Sequence, residues 1–347
     1  MFWITGGDKL VRSLHDMFPN AVTAVLSEQC DHVSWQGFRF YDLIFPLFVF
    51  IVGVVLPFSL TRHIESGASR RQLYFRVVRR VVLLFVLALI YNGLLQTSWH
   101  DLRIAGVLTR IAVCYFFAAL VVINFRVRAQ AIVAAVLLLG YWAAMTLIPV
   151  PGVGPGVLTP AGNLAGFVDR QVLPRPFCCY GFGDNEGILS TIPAIATALL
   201  GALAGHWLRT KRVPARKAAG LALAGVLSLA LGLLWGQWFP IIKNIWSSSY
   251  VLFAAGWSLL LLAFFYWIID MRGYKRWAFF FIVIGMNAIT IYVLRSQINL
   301  GIVLKYAGYG RGENLGADWL FFWRLIEVGA GWLLLWFLYR RRIFLRV

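Results

Sequence analysis

Polar side chains that could do chemistry collect just before a long apolar stretch near the N-terminus. The segment Cys30-Asp-His-Val-Ser-Trp-Gln-Gly-Phe-Arg-Phe-Tyr-Asp-Leu-Ile-Phe-Pro46 places His32 and Asp42 close to the start of that stretch. Imidazole is the side chain best suited to act as a nucleophile or base near neutral pH, and a nearby carboxylate can orient it. The pair is therefore a candidate catalytic centre. A solvated His32 and an Asp42 that caps the following helix are the structural alternatives.

Two more carboxylates stand at a second boundary of this kind. In Gly181-Phe-Gly-Asp-Asn-Glu-Gly187, the residues Asp184 and Glu186 directly precede the apolar run that begins at Ile188. Carboxylates in this position could accept hydrogen bonds from sugar hydroxyls or hold an amine. Stabilisation of the helix that follows, through its dipole, is the structural alternative.

Arg110 lies well inside an apolar stretch and has no acidic residue within one helical turn. An arginine in the membrane costs at least a few kcal/mol, so it is expected to face the interior of a helix bundle or a watery cavity and to meet an anion. Asp42, Glu186 and a ligand phosphate are the candidate anions. A side chain that extends to the membrane surface is the alternative.

Amides and hydroxyls near the ends of two other apolar stretches complete the set of candidates. Lys243-Asn-Ile-Trp-Ser-Ser-Ser249 contributes Asn244 and Ser247, and Gly285-Met-Asn-Ala-Ile-Thr290 contributes Asn287. Such groups could bind a ligand. Hydrogen bonds between membrane helices are the structural alternative for each of them.

The composition indicates which elements position these side chains. The chain is 61% hydrophobic and only 13% charged, which leaves too little polar surface to cover a globule in water. Its apolar stretches are continuous in Leu, Ala, Val and Phe and lack the alternation of a membrane barrel. We predict an all-α, polytopic transmembrane helical bundle. Its nine full spans, each of about 20 residues, are approximately Asp42–Thr61, Val77–Leu95, Ile104–Asn124, Ala129–Ile148, Ile188–Leu208, Ala218–Trp238, Tyr250–Ile269, Trp277–Leu294 and Trp319–Leu338.

The basic residues predict the orientation of the bundle. If the nine spans alternate, the Arg-rich and Lys-rich connections all fall on one face, which then carries the whole net charge of +18. That face is expected to be cytoplasmic and to include the C-terminus. The excess of basic residues is thereby explained as an orientation signal, which removes the case for a nucleic-acid partner. We predict an integral, multi-pass protein of a bacterial inner membrane.

Residues 1–347 read as a single transmembrane domain without internal repeats. Residues 1–41 consist of a short apolar start and an outer segment. Residues 1–7 are too short to cross the membrane, and we interpret them as the end of a truncated first span, with an interfacial anchor as the alternative. The longest outer loop is 149–187.

The cysteines have no spacing suited to zinc, and no metal site is expected. Cys30 is predicted on the same side as Cys178 and Cys179, so a disulfide could join it to one of them. The neighbours Cys178 and Cys179 are not expected to bridge each other.

Five ordered motifs resemble the heparan-α-glucosaminide N-acetyltransferase family and its bacterial relatives. They are His32-Val-Ser-Trp-Gln-Gly37 with Tyr41-Asp-Leu-Ile-Phe-Pro-Leu-Phe-Val-Phe-Ile-Val-Gly53, Arg103-Ile-Ala-Gly-Val-Leu-Thr-Arg110, Asp184-Asn-Glu-Gly-Ile-Leu-Ser-Thr191, Lys243-Asn-Ile-Trp-Ser247 and Gly285-Met-Asn287. The resemblance covers residues 30 to about 295 and is weak over the last 50. The resemblance does not extend to the extra N-terminal lumenal domain of the lysosomal enzyme, which leaves the identity of the acceptor open.

The resemblance implies an acetyltransferase that moves an acetyl group from cytosolic acetyl-CoA to the amino group of a glucosamine on the far side of the membrane. His32 matches the proposed acetyl acceptor or base, and Asp42 would orient it. A homodimer is an expectation carried by the same resemblance. Residues expected to bind acetyl-CoA are Arg110, Asn244, Ser247 and Asn287, and those expected to bind the amino-sugar acceptor are Trp35, Asp184 and Glu186.

An amino-sugar permease without catalysis is the rival hypothesis. Some bacterial relatives are associated with N-acetylglucosamine utilisation, and a transport role has been suggested for them. Transporters commonly have paired internal repeats and helices broken near the middle of the membrane. The chain has no detectable repeat, and its polar residues cluster at outer span ends, which favours the enzyme.

Overall fold

The computed structural model describes residues 2–65, 67, 69–95, 102–297 and 317–344. Within these residues the regular secondary structure is helical, and extended segments form only isolated bridges. The predicted all-α class is thus confirmed. The helices are α1 (Asp8–Met17), α2 (Ala21–Gln29), α3 (Phe40–Glu65), α4 (Arg70–Tyr91), α5 (Val107–Asn124), α6 (Val127–Leu147), α7 (Leu164–Val172), α8 (Ile188–Arg209), α9 (Pro214–Trp235), α10 (Ser248–Phe265), α11 (Phe279–Met286), α12 (Ala288–Gln297) and α13 (Ala317–Arg340), with π-helical turns at Trp3–Gly7 and Tyr266–Met271.

Seven helices in the described part of the chain are long and apolar enough to cross a bilayer. They are α3, α5, α6, α8, α9, α13 and α10 with its π-helical extension, and they coincide with seven of the predicted spans. The predicted span Val77–Leu95 falls in α4, whose first half is rich in arginine. The predicted span Trp277–Leu294 is interrupted at Asn287, between α11 and α12. The count of nine spans, the truncated first span and the cytoplasmic C-terminus stay predictions.

The chain divides into two compact units, and the single domain expected from the sequence stays a prediction. The core of the larger unit is formed by apolar side chains of α3, α5, α8 and α10, among them Val49, Cys114, Ala198 and Tyr250. In the smaller unit, α1 packs against α2 and α13, and α11 also contacts α13. The larger unit consists of Val33–Phe38 and Asp42–Arg272, and the smaller of Met1–His32, Arg39–Tyr41 and Gly273–Val347.

Glycines bring the backbones of α3 and α8 into direct contact. A Cβ atom on Gly53 of α3 would lie 1.9 Å from the carbonyl oxygen of Ala198, and one on Gly201 of α8 would lie 2.0 Å from that of Phe50. Gly205 repeats the arrangement one turn further along α8. Van der Waals packing drives helix association in lipid, so small residues at the interface are favourable. The contacts run in parallel along both helices, and their first turns therefore lie at the same end of the larger unit.

Helices α9 and α10 form a second close pair. Cβ atoms on Gly232 and Gly256 would lie 2.7 Å from the Phe253 nitrogen and 2.8 Å from the Leu229 nitrogen, respectively. The Ser228 hydroxyl donates across the interface to a backbone carbonyl of α10, at 2.7 Å. This packing fixes the loop between the two helices, which carries several of the candidate residues.

The expectation that Cys178 and Cys179 do not bridge each other is wrong, and the possible disulfide from Cys30 is not formed. Cys178 and Cys179 are joined by a disulfide, whereas Cys30 is a buried free thiol. The backbone at Cys179 is in the left-handed region, where φ is 86°. Residue spacing does not reveal this local geometry.

We expect Gly201→Val to destabilise the larger unit, because the added carbons would collide with the Phe50 carbonyl. A loss of about 2–3 kcal/mol is the ordinary cost of overpacking of this kind. The measurement is the thermal unfolding midpoint of the purified protein in detergent. Gly140→Val in α6 is the matched control, since a Cβ there meets no atom within 4 Å. Equal midpoints for the two variants would contradict the close approach of α3 and α8.

Candidate functional site

Buried charges collect in the larger unit, near the end at which α3 and α8 begin. Asp42, Arg110 and Asp184 are at most 1% exposed, and Glu186 and Lys243 are nearly as well covered. The charge of Glu186 acts on both Arg110 and Lys243, so the groups form one electrostatic network. We call Asp42, Arg103, Arg110, Asp184, Glu186 and Lys243 the charge cluster.

Arg103, in the segment before α5, binds both carboxylates that precede α8. Its Nε donates to Asp184 Oδ2 at 2.7 Å, and its Nη2 lies 2.5 Å from both Asp184 Oδ1 and Glu186 Oε2. A forked arginine–carboxylate pair is among the strongest charge-assisted contacts in proteins. The two carboxylates are therefore held as a pair at the start of α8, where the sequence analysis placed them.

Burial raises the pKa of both carboxyls, and nearby arginines oppose it. For Asp184, the hydrogen bonds and charge of Arg103 outweigh burial and hold its pKa below the ordinary value. For Glu186, burial outweighs the charges of Arg110 and Arg103, and its pKa lies above the ordinary value. Of the pair, Glu186 is thus the carboxyl that takes up a proton more readily.

A third carboxylate shapes the loop around this pair. Asp169 of α7 is fully buried and accepts hydrogen bonds from the backbone nitrogens of Asp184 and Ile188, at 3.1 and 3.0 Å. Gly187 lies so close that a Cβ atom there would sit 2.0 Å from the Asp169 carboxylate. Asp169 therefore fixes the turn that enters α8.

Arg110 is buried in the first turn of α5, as expected for an arginine inside an apolar stretch. Its guanidinium carbon lies 4.8 Å from the centre of the Trp246 ring, and its Nη2 donates to Ser190 Oγ at 2.5 Å and to the Gly187 carbonyl at 3.3 Å. Its Nε and Nη1 are buried and have no hydrogen-bond partner among the described residues. Buried donors without partners are rare in proteins, so these two are available to a ligand.

Trp246, under Arg110, has a strained backbone. Its φ is 53°, in the left-handed region that residues other than glycine seldom adopt, and its indole nitrogen donates to Thr197 Oγ1 at 3.2 Å. Such conformations cost about 1–3 kcal/mol and cluster at functional sites. The strain marks this loop as one whose shape the surrounding packing imposes.

Asp42 pairs with a lysine that was not among the sequence candidates. Its Oδ1 lies 3.1 Å from Lys243 Nζ, and its Oδ2 accepts a long hydrogen bond from the backbone nitrogen of Val33, at 3.4 Å. The Tyr250 hydroxyl donates to the Asp42 carbonyl at 2.8 Å. The carboxylate at the start of α3 is thereby tied to the loop before α10.

The remaining candidates of the larger unit occupy defined places. Ser247 caps α10, accepting from the Tyr250 nitrogen at 3.4 Å and donating to the Pro240 carbonyl at 2.8 Å, and Asn244 is half-buried. The Trp35 indole donates to the Leu158 carbonyl at 2.8 Å, and its ring meets that of Tyr180 edge to face, with centroids 5.2 Å apart. Their predicted binding roles stay predictions.

His32 and Asn287 belong to the smaller unit. His32 is exposed, its ring lies 4.8 Å from that of Tyr41, and its carbonyl accepts from Arg39 at 3.2 Å. Asn287, at the break between α11 and α12, is buried, and its Nδ2 has no partner among the described residues. Because Asp42 lies in the other unit, the predicted His32–Asp42 pair stays a prediction.

Four residues of this region were not predicted as site residues from the sequence: Arg103, Lys243, Trp246 and Asp169. Arg103 and Lys243 did carry a signal, because they are basic residues on the face predicted to be outer, where the charge is balanced, and Arg103, Lys243 and Trp246 all stand in the quoted family motifs. Asp169 stands in none of them, and the turn that it holds, like the strained backbone of Trp246, depends on residues far away in sequence. Among the described residues, no three His, Cys, Asp or Glu side chains are placed to hold a metal ion.

Comparison with known proteins identifies relatives of this chain. No model of a protein family matches it. Heparan-alpha-glucosaminide N-acetyltransferase of Homo sapiens is 32% identical, and that of Mus musculus 31%, over 76% of this chain. The chain belongs to this family. It spans about half the length of these relatives, as the alignment covers 48% of each. The family resemblance seen in the sequence motifs is confirmed.

We expect Arg103→Met to destabilise this family member by about 3 kcal/mol, the scale of removing one partner from a buried ion pair. The loss should be largest near neutral pH, because Arg103 stabilises ionised Asp184 against burial. In the variant, burial is no longer opposed by Arg103, so the two carboxyls should take up protons as pH falls, and the difference from wild type should shrink. Thermal unfolding midpoints between about pH 5 and about pH 7.5 test this.

Arg175→Met is the control for that series, because Arg175 is an exposed arginine of the loop that carries Asp184 and Glu186. Its midpoint should follow wild type at every pH. A difference between Arg103→Met and wild type that stays constant or grows on acidification would show that Arg103 does not stabilise the ionised carboxylates.

Proposed function

We propose that the protein is a membrane-embedded acetyltransferase that moves an acetyl group from cytoplasmic acetyl-CoA to the amino group of a glucosamine-type sugar on the opposite side. The N-acetyltransferase activity named for its relatives supports N-acetyl transfer. The seven candidate membrane-spanning helices support action within a bilayer. The basic connections of the predicted cytoplasmic face would attract the phosphates of coenzyme A.

The observation that carries the proposal is the state of Arg110. Among the described residues, two of its guanidinium nitrogens are buried without partners, over the face of Trp246 and near enough to the mostly buried carboxylate of Glu186 to act on its charge. A guanidinium with two unused donors can stabilise an oxygen that gains negative charge during acyl transfer, such as that of the thioester carbonyl. In the proposal, Arg110 holds this oxygen, and Asn244, Ser247 and Asn287 contribute to binding acetyl-CoA.

His32 and Asp42 carry the chemistry in this proposal. An imidazole nitrogen attacks the thioester carbonyl carbon, the carbon–sulfur bond breaks, and the departing thiolate takes the proton that the imidazole N–H gives up, so coenzyme A leaves as a thiol. The sugar amine then attacks the carbonyl carbon of the acetyl-imidazole, the carbon–nitrogen bond to the imidazole breaks, and the imidazole takes the amine proton, which restores His32. In the direct route, His32 takes that proton while the amine attacks the thioester itself.

Acceptor binding is assigned to Asp184, Glu186 and Trp35. Carboxylates accept hydrogen bonds from hydroxyls and amines, and an aromatic side chain offers an apolar surface to a sugar ring. The contact of Trp35 with Tyr180 supports an aromatic wall at this place. No metal takes part. The protein would act in a bacterial inner membrane, as a homodimer, with lipid, acetyl-CoA and an amino sugar as partners and without nucleic acid.

A permease is the second candidate, and one observation favours it. The chain breaks helix geometry at Asn287, inside an expected span, and leaves a buried amide without a partner among the described residues. Interrupted helices of this kind bind substrates in transporters. The permease would carry N-acetylglucosamine or a related amino sugar without catalysis.

Purified full-length protein in liposomes, given acetyl-CoA and glucosamine, is expected to release free coenzyme A. His32→Ala should reduce the rate by about 10²–10⁴-fold, the contribution of a positioned base. His15→Ala is the matched control, because His15 contacts Thr23 in the N-terminal helices and is expected to leave the rate unchanged. Equal rates for the two variants would remove His32 from the mechanism.

Two further measurements distinguish the enzyme from the permease and the covalent route from direct transfer. If the wild type releases no coenzyme A while vesicles accumulate amino sugar, the permease is correct. If labelled acetyl stays on the wild type but not on His32→Ala when the acceptor is withheld, the covalent route is correct. Absence of label on an active wild type leaves direct transfer.

A further inference from the structure

Lys243 has no role in the proposed reaction so far, yet it is one of the cations of the charge cluster and is paired with Asp42. Its ammonium lies 3.1 Å from Asp42, and its side chain is 12% exposed. Burial lowers the pKa of Lys243, and the charges of Asp42 and Glu186 oppose this effect. A buried lysine is retained against its desolvation cost only where fixed anions hold it.

The loop that carries Lys243 also binds the segment that follows His32. Gln36 and Ile242 form an antiparallel bridge, and the Gly37 nitrogen donates to the Ile241 carbonyl at 2.9 Å. The Asp42–Lys243 ion pair connects the same loop to the start of α3. The loop therefore binds Val33–Phe38 through backbone contacts, and the ion pair fixes the chain that follows this segment.

Asp42 connects the two attachments. One carboxylate oxygen meets Lys243, and the other accepts from the nitrogen of Val33, the residue directly after His32 in the chain. The Tyr250 hydroxyl fixes the backbone at Asp42 from α10. The charged groups near the pair, on the other elements of the larger unit, are Glu186 before α8 and Arg110 on α5.

We propose that Lys243 is a positioning residue for the acetyltransferase chemistry: it holds Asp42 as an oriented carboxylate, and through Asp42 it fixes the chain immediately after His32. The inference rests on the proposed function for its link to catalysis. The attachment of residues 33–38 can be tested without any activity. Lys243 does not contact the reacting groups in this proposal, and it acts through Asp42.

The first test measures backbone hydrogen exchange of the full chain in nanodiscs by mass spectrometry. Lys243→Gln should speed exchange of the Val33–Phe38 amides by roughly tenfold or more, because the contacts that close this segment are weakened. Lys243→Arg keeps the charge and should stay near wild type. Lys9→Gln is the matched control at an exposed lysine and should have no effect. Unchanged exchange in Lys243→Gln would overturn the proposal.

The second test compares kcat and KM for acetyl transfer in Lys243→Gln and in the double variant Asp42→Asn/Lys243→Gln. The single variant should lose about 10²-fold in kcat with little change in KM, as expected when positioning in the transition state is lost. The double variant replaces the ion pair by a neutral pair. It should recover the exchange rate and the unfolding midpoint while kcat stays low.

Recovery of kcat together with stability in the double variant would make the ion pair merely structural and would overturn the role in positioning. If the wild type transfers no acetyl group, the proposed function fails. The exchange experiment then still decides whether Lys243 fixes residues 33–38, so the two failures are distinguishable.

Discussion

Neutralising charge away from water is the requirement on which the rest of this protein depends. Each cation of the charge cluster is at least partly neutralised or hydrogen-bonded by its neighbours. Arg103 binds two carboxylates, and Lys243 is paired with Asp42. Arg110 lies over the face of Trp246 and donates to two oxygen acceptors. Removing one partner from such a pair is strongly destabilising, whereas the intact pair adds little to stability. The cluster therefore specifies how loops join helices more than it contributes to the free energy of folding.

The glycine contacts between α3 and α8 give the cluster its support. Because the two backbones touch and run in parallel, the segment entering α3 and the segment entering α8 are kept at the same level. A few ångströms of movement along the axis would separate the carboxylates before α8 from the cations that they bind. The apolar interior and the polar end of the larger unit therefore depend on each other. The glycines fix how far α3 and α8 are shifted along each other, and the charged contacts form only at that alignment.

Properties that depend on local composition could be predicted from the sequence. Hydropathy predicted seven of the helices, the cost of a buried guanidinium predicted the burial of Arg110, and the motif before Ile188 predicted where Asp184 and Glu186 would stand. Pairing could not be predicted in this way, because Arg103 and Asp184 are 81 positions apart and meet only after α5 and α8 have packed. The break at Asn287 escaped for a different reason: its neighbours are apolar, and apolar residues suit a straight helix and an interrupted one equally well.

The state of the four cysteines has a practical consequence. Cys178 and Cys179 are oxidised together, and Cys30 and Cys114 are buried. Burial also raises the pKa of the Cys30 thiol, which lowers its reactivity toward electrophiles. We therefore expect the native chain to react little with thiol reagents. Single cysteines introduced into its loops would be labelled against a low background from either side of a sealed vesicle, and the sidedness of every connection could be mapped without first removing any native residue.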